Sequence, residues 1–156
     1  MTIETYLKEA IRVAEENINN AGGGPFGAVI VKDGRIIAKA ANTVTTTNDP
    51  TAHAEVNAIR LACQELHTFD LSGCTLYASC EPCPMCLSAV YWARIDQIYY
   101  AGSRYDAQDA GFDDSFIYEE LERPIATRRI KIMQLLPEEG KLPFEQWRKS
   151  ITKVPY

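Results

Sequence analysis

Two apolar runs on either side of Asp33-Gly34 limit what this chain can fold into. Phe26 to Val31 and Arg35 to Ala41 are each strand-length, and an Asp-Gly pair between them is a strong hairpin signal, because such a turn asks for positive φ at both residues. Beyond the hairpin the chain alternates helical and strand-like segments. The spacing predicts a helix from about Thr2 to Asn19, with Ile3, Leu7, Ala10, Ile11, Ala14 and Ile18 on one face, ended by Gly22-Gly23-Gly24-Pro25. It predicts a second helix from about Thr51 to Leu66, with Val56, Ile59, Cys63 and Leu66 facing inward. Further strands are expected over Thr75 to Ser79, Gln97 to Ala101 and Arg129 to Leu136, and further helices over Pro84 to Ala93, Phe116 to Glu122 and Phe144 to Ile151. Asn42 to Pro50 and Gly102 to Ser115 read as loops. A hairpin followed by this alternation makes a mixed sheet with helices on both faces, an α/β class of fold.

The length, 156 residues, suits one domain, and no repeat or linker divides it. Lysine plus arginine is 16 against 21 acidic residues, a net charge of −5, which disfavours a nucleic-acid partner gripped through its phosphates. The apolar runs fall far short of the roughly 20 residues that span a bilayer, so no membrane partner is expected. The charged N-terminus lacks the apolar centre of a signal peptide. Five cysteines, with Cys80, Cys83 and Cys86 close together, fit a reducing, cytoplasmic setting and metal binding over disulfides.

The chemistry concentrates in His53-Ala54-Glu55 and, 30 residues after the histidine, Pro82-Cys83-Pro84-Met85-Cys86. His53, Cys83 and Cys86 make three zinc ligands; three with an open position for water is the catalytic pattern, and four is the closed structural one. Both ligand groups open a helix, where free N–H groups favour a thiolate. Glu55 follows His53 by two residues, which full helical geometry would turn about 200° away. The two share a site only if His53 stands in the irregular first turn. Glu55 is then the acid/base beside the metal, and the whole pattern matches the signature of zinc-dependent nucleobase deaminases. The competing site is closed, with Cys80 as fourth ligand. An iron–sulfur cluster would want a cysteine where Val90 stands.

The segments GGPFGAVIVKDG, NDPTAHAEVNAIR, SCEPCPMC, YWAR and GFDDSF together resemble the bacterial guanine deaminases of the cytidine deaminase-like superfamily. The metal motifs are common to that superfamily and speak for reaction class; GFDDSF and the terminal tyrosine are the more specific likeness. The resemblance implies a three-layer α/β/α fold with a five-stranded mixed sheet and one Zn²⁺ per chain at the starts of two helices. It implies hydrolysis of guanine to xanthine and ammonia in purine metabolism, with Glu55 as proton shuttle. It also implies a homodimer that exchanges C-terminal segments, about residues 137–156, so that each tail closes the partner's pocket.

By the same resemblance Asp114 accepts from N1–H and N2–H₂ of the base, an edge on which adenine offers an acceptor instead. On the residues alone Asp113 or Asp114 reads as a helix cap. Asn42 is implied to hydrogen-bond the purine, where otherwise it is a loop-starting asparagine. Phe26 would line the pocket, the Ala54 N–H would meet a ring acceptor, and Tyr156 would arrive from the partner chain. Otherwise Phe26 is core, and Tyr156 a frayed terminus. Trp92 reads equally as pocket wall or helix core. Two other functions share the zinc pattern: a transfer-RNA adenosine deaminase or other nucleobase deaminase, and a non-enzymatic structural zinc module held by His53, Cys80, Cys83 and Cys86.

Overall fold

Asp33 and Gly34 take φ of 49° and 73°, both in the left-handed region the hairpin turn requires. They join β1 (Gly27–Lys32) to β2 (Arg35–Ala41), which pair antiparallel. Tyr6, on helix α1 (Ile3–Asn19), donates its hydroxyl to the Gly34 carbonyl at 2.7 Å and ties the turn to the first helix. The computed structural model describes residues 1–156. They form two compact units, Met1–Asp114 and Ser115–Tyr156.

In the first unit β1 also pairs antiparallel with β3 (Cys74–Cys80), and β3 pairs parallel with β4 (Gln97–Gly102), giving the order β2-β1-β3-β4. The alternation of side chains along β1 divides the core in two. Val29 and Val31 pack with Tyr6, Ala10 and Tyr77 under α1. Ala28 and Ile30 pack on the opposite face with Leu76 and with helices α3 (Ala54–Leu66) and α4 (Pro84–Trp92). This is a three-layer α/β/α arrangement. Leu76, Ile30 and Leu71 are fully buried, each contributing roughly 2 kcal/mol by burial of apolar surface.

Two helices pack through small residues. The buried face of α3 is Ala54, Glu55, Ala58 and Ala62, not the stripe centred on Val56 that the sequence suggests. Ile59, Cys63 and Leu66 flank it, partly buried. Alanine lets the helix axis come close to the sheet, and periodicity drawn from large apolar residues misses such a face. On α1 the same holds for Ala10 and Ala14, while Ile3 and Ile18 are exposed. Short helices interrupt both expected loops, α2 (Val44–Thr47) and α5 (Arg104–Asp109). The latter is opened by a capping box between Ser103 and Asp106.

The second unit holds helices α6 (Ser115–Glu122) and α7 (Leu142–Lys149) and two single 3₁₀ turns. The sheet has four strands, not five: residues 129–136 form no strand. A strand exists only as part of a ladder, and this unit contains no strand for the segment to pair with. Ile130, Met133 and Leu135 of that segment are exposed. No helix is long and apolar enough to cross a membrane.

Candidate metal and substrate site

Helices α3 and α4 begin alike. His53 is the N-cap of α3 with φ −68° and ψ 155°, and Cys83 is the N-cap of α4 with φ −66° and ψ 169°. Neither side chain caps its own helix, so both are free for other work. Pro84 holds the first position of α4, where its missing N–H costs nothing. Cys86 follows two residues later, buried. His53 therefore stands outside the helix in extended backbone, and Glu55 in the first turn is not forced to the opposite side.

The donors converge. Cys83 Sγ lies 3.6 Å from His53 Nδ1, and Cys86 Sγ lies 3.4 Å from the same nitrogen. A tetrahedral zinc with Zn–S about 2.3 Å and Zn–N about 2.05 Å would set an N–S edge of about 3.6 Å. The three atoms fit that ion in both chemistry and spacing, all within 4.8 Å of one another. Cys80 does not join them; its thiol donates to the Ser103 carbonyl at 3.5 Å. The site thus has three donors and an open side.

The electrostatics are those of crowded acidic groups, of which Cys83 ionises most readily. The hydrogen bond from Cys86, and then that from His53, hold the Cys83 thiol down to about 4 against the opposing effect of burial. The same Cys83–Cys86 pairing, with burial, pushes the Cys86 thiol up. Two thiols so close ionise together only with a cation between them. The Cys83 contact raises His53. Burial above all raises Glu55, whose Oε2 lies 3.5 Å from Cys86 Sγ. Burial, then Cys80's neighbour Glu55, lifts the Cys80 thiol to about 11.

A cleft of about 610 Å³ opens beside these donors. His53, Glu55 and Cys83 line it, and so do Phe26, Asn42 and Asp114. Phe26 meets Phe112 edge-on, ring centroids 4.9 Å apart, so one wall is aromatic. Burial first, then Cys83, raises the Asp114 carboxyl. Ala54 is fully buried at the first position of α3, with a first-turn N–H that lacks an intrahelical partner. Trp92 is 69% exposed and is neither cleft wall nor core. Tyr156 belongs to the second unit. Sequence reasoning missed Arg104, Glu81 and Phe112 in the lining. Glu81 accepts the backbone N–H of Arg104 at 3.0 Å and anchors the start of α5 there; its place within SCEPC was the available signal.

Three N and S donors with an open side, a buried carboxylate beside them and a cleft above define a metal-dependent hydrolytic site on an α/β/α scaffold. The chain belongs to the cytidine and deoxycytidylate deaminase zinc-binding family, whose model matches residues 1–102. It is 55% identical over 156 residues, the whole of both chains, to the guanine deaminase of Bacillus subtilis. The X-ray structure of that enzyme superposes with a TM-score of 0.98, covering 100% of this chain and 99% of the other. A transfer-RNA-specific adenosine deaminase of Aquifex aeolicus is 41% identical over 128 residues, 82% of each chain. A protein solved with 2,6-diaminopurine is 34% identical, with a TM-score of 0.69 over 72% of this chain and 62% of that one.

Proposed function

We propose that the protein hydrolyses guanine to xanthine and ammonia. The observation that carries the substrate is the full-length likeness to a guanine deaminase. The shorter and weaker likeness to transfer-RNA adenosine deaminases accounts for the same metal motifs. The acidic net charge also disfavours RNA.

Zinc held by His53, Cys83 and Cys86, one per chain, would supply the Lewis acidity that makes water a nucleophile near neutral pH. Glu55 takes a proton from the attacking water as the water oxygen bonds to C2 of the base. It passes that proton to ring N3, then takes the proton of the new C2 hydroxyl as the C2=O bond forms and delivers it to the exocyclic amine, so that the C2–N bond breaks and ammonia leaves. Burial raises the Glu55 carboxyl, which makes the carboxylate a stronger base and lets it hold the proton between the two transfers. Asp114 accepts from N1–H and N2–H₂, Asn42 hydrogen-bonds the purine, Phe26 covers its face and the Ala54 N–H meets a ring acceptor. Adenine would set its N1 lone pair against the Asp114 carboxylate, a buried mismatch that discriminates strongly. Asp114→Ala should therefore lower kcat/KM for guanine about 100-fold, the loss of a hydrogen bond to a charged group. Unchanged guanine turnover in that variant would remove the basis for selectivity.

The working unit in this reading is a cytoplasmic homodimer of one-domain chains with exchanged C-terminal segments, about residues 137–156. Two facts support the exchange. β4 is a sheet edge with β3 as its one neighbour, and the strand-patterned segment 129–136, which leads into the exchanged residues, has no ladder of its own. Tyr156 would then complete the partner's cleft. Mixing Glu55→Gln chains with chains truncated after Lys153 tests this. Exchanged tails restore one complete site per mixed dimer, whereas unexchanged tails restore none.

A further inference from the structure

Asn17 stands in the last turn of α1, 8% exposed, a buried amide among alanines. A buried polar group persists only when hydrogen-bonded, and this one reaches across the fold. Its Nδ2 donates to the Gly24 carbonyl at 2.7 Å and to the Asn42 carbonyl at 2.9 Å. Those two residues are themselves joined. The Asn42 Oδ1 accepts from the Gly24 N–H at 3.3 Å and from the Val44 N–H at 3.1 Å. Its backbone N–H donates to the Phe26 carbonyl at 3.1 Å.

This network fixes which way the Asn42 amide points. Backbone N–H groups only donate, so the atom they meet must be the oxygen, and the flip is decided by its partners. What Asn42 has left for the cleft it lines is the Nδ2 donor. The glycines are cut to fit the same network. A Cβ on Gly22 would lie 2.2 Å from Asn17 Oδ1, and one on Gly23 would lie 2.3 Å from the Asn42 carbonyl oxygen. Gly23 also has φ of 150°, but Gly22 does not need positive φ. Position 22 is therefore glycine because of the Asn17 side chain.

We infer that Asn17 is a positioning residue for the substrate: it clamps the glycine loop to Asn42 and so holds the Asn42 Nδ2 as a fixed donor toward an acceptor on the bound base. This rests on the reading of the cleft as the guanine site. Asn17 touches no substrate, and its effect passes through Asn42.

The test uses the zinc-loaded full chain with Asn17→Ala, Asn42→Ala and the double variant. Asn17→Ala should raise KM for guanine about tenfold, one neutral hydrogen bond's worth, with kcat within about twofold. In the Asn42→Ala background the same change should add less than about twofold, because coupled residues are not additive. Gly22→Ala should copy the Asn17→Ala phenotype, and Gly22→Ala combined with Asn17→Ala should be no worse than Asn17→Ala alone. A lower kcat at unchanged KM, or KM effects that multiply in the double variant, would overturn the inference in favour of a merely structural role. Amide hydrogen exchange gives a readout independent of turnover. The Gly24 and Val44 amides should be protected in the wild type and lose protection in Asn17→Ala. If the wild type releases no ammonia from guanine, the substrate reading fails, and exchange alone then decides the clamp; unchanged protection would refute it.

Discussion

His53 Nδ1 and Cys83 Sγ lie 3.6 Å apart although 30 residues separate them in the chain. Each is the N-cap of its helix, each in extended backbone, and neither spends its side chain on capping. The sheet brings the two helix starts together, and the metal site is the consequence.

Removing one donor should remove the metal. Cys86→Ser replaces a soft thiolate by a hydroxyl that stays protonated, so bound zinc should fall well below one per chain while the sheet persists. Elemental analysis of the purified variant checks this. Full zinc occupancy in Cys86→Ser would mean that the ligands have been misidentified.

Glu55→Gln separates chemistry from binding. The amide keeps the shape but cannot carry a proton, so kcat should fall about 10²- to 10⁴-fold, the range of general acid–base catalysis. Zinc content should stay at one per chain. The melting temperature should not drop, because a carboxyl whose charged form is disfavoured by burial is being replaced by a neutral group.

Gly27 opens β1 against α1. A Cβ there would meet the Ala10 carbonyl oxygen at 2.3 Å and the Ala14 nitrogen at 2.7 Å, both backbone atoms that cannot swing away. Gly27→Ala should therefore push the helix off the sheet and destabilise by about 1–3 kcal/mol, the scale of overpacking. A urea midpoint equal to that of the wild type would contradict the packing described.

Stability against acid depends on Glu9. Arg12, at 2.7 Å, and then Lys39 on β2, at 3.0 Å, hold its carboxyl down to about 2, below the ordinary 4.5. A carboxyl lowered on folding stabilises above the ordinary value and loses that contribution as pH falls from 4.5 toward 2. The group is partly solvated, so the contribution is about 0.5–1 kcal/mol. Glu9→Gln should flatten the acid limb of stability in that window and leave the rest unchanged. Equal acid limbs in denaturant titrations of the two proteins would exclude this pair as a contributor.

Much of the site is legible in the sequence because its chemistry demands rare residue types at fixed spacing. His53, Cys83 and Cys86 fall together in space, and Glu55, Asn42, Asp114 and Phe26 line the cleft beside them. The hairpin is legible for a similar reason, since Asp33-Gly34 signals its own backbone geometry. The buried face of α3 is not, because Ala54, Ala58 and Ala62 pack by being small. Residues 129–136 carry a strand pattern without a strand, because pattern shows which face is apolar but supplies no partner for the ladder. Asn17 is invisible for another reason: a lone asparagine near a helix end reads as a terminator, and only the fold brings it to Gly24 and Asn42.

The most direct measurement is product formation by the zinc-loaded protein, with guanine, adenine, cytosine, cytidine and guanosine in parallel and a transfer-RNA anticodon stem-loop beside them. The account predicts one xanthine and one ammonia per guanine, and no turnover of the others. An inert guanine with deamination of adenosine in the stem-loop, or of cytosine, would leave the metal centre standing and contradict the substrate.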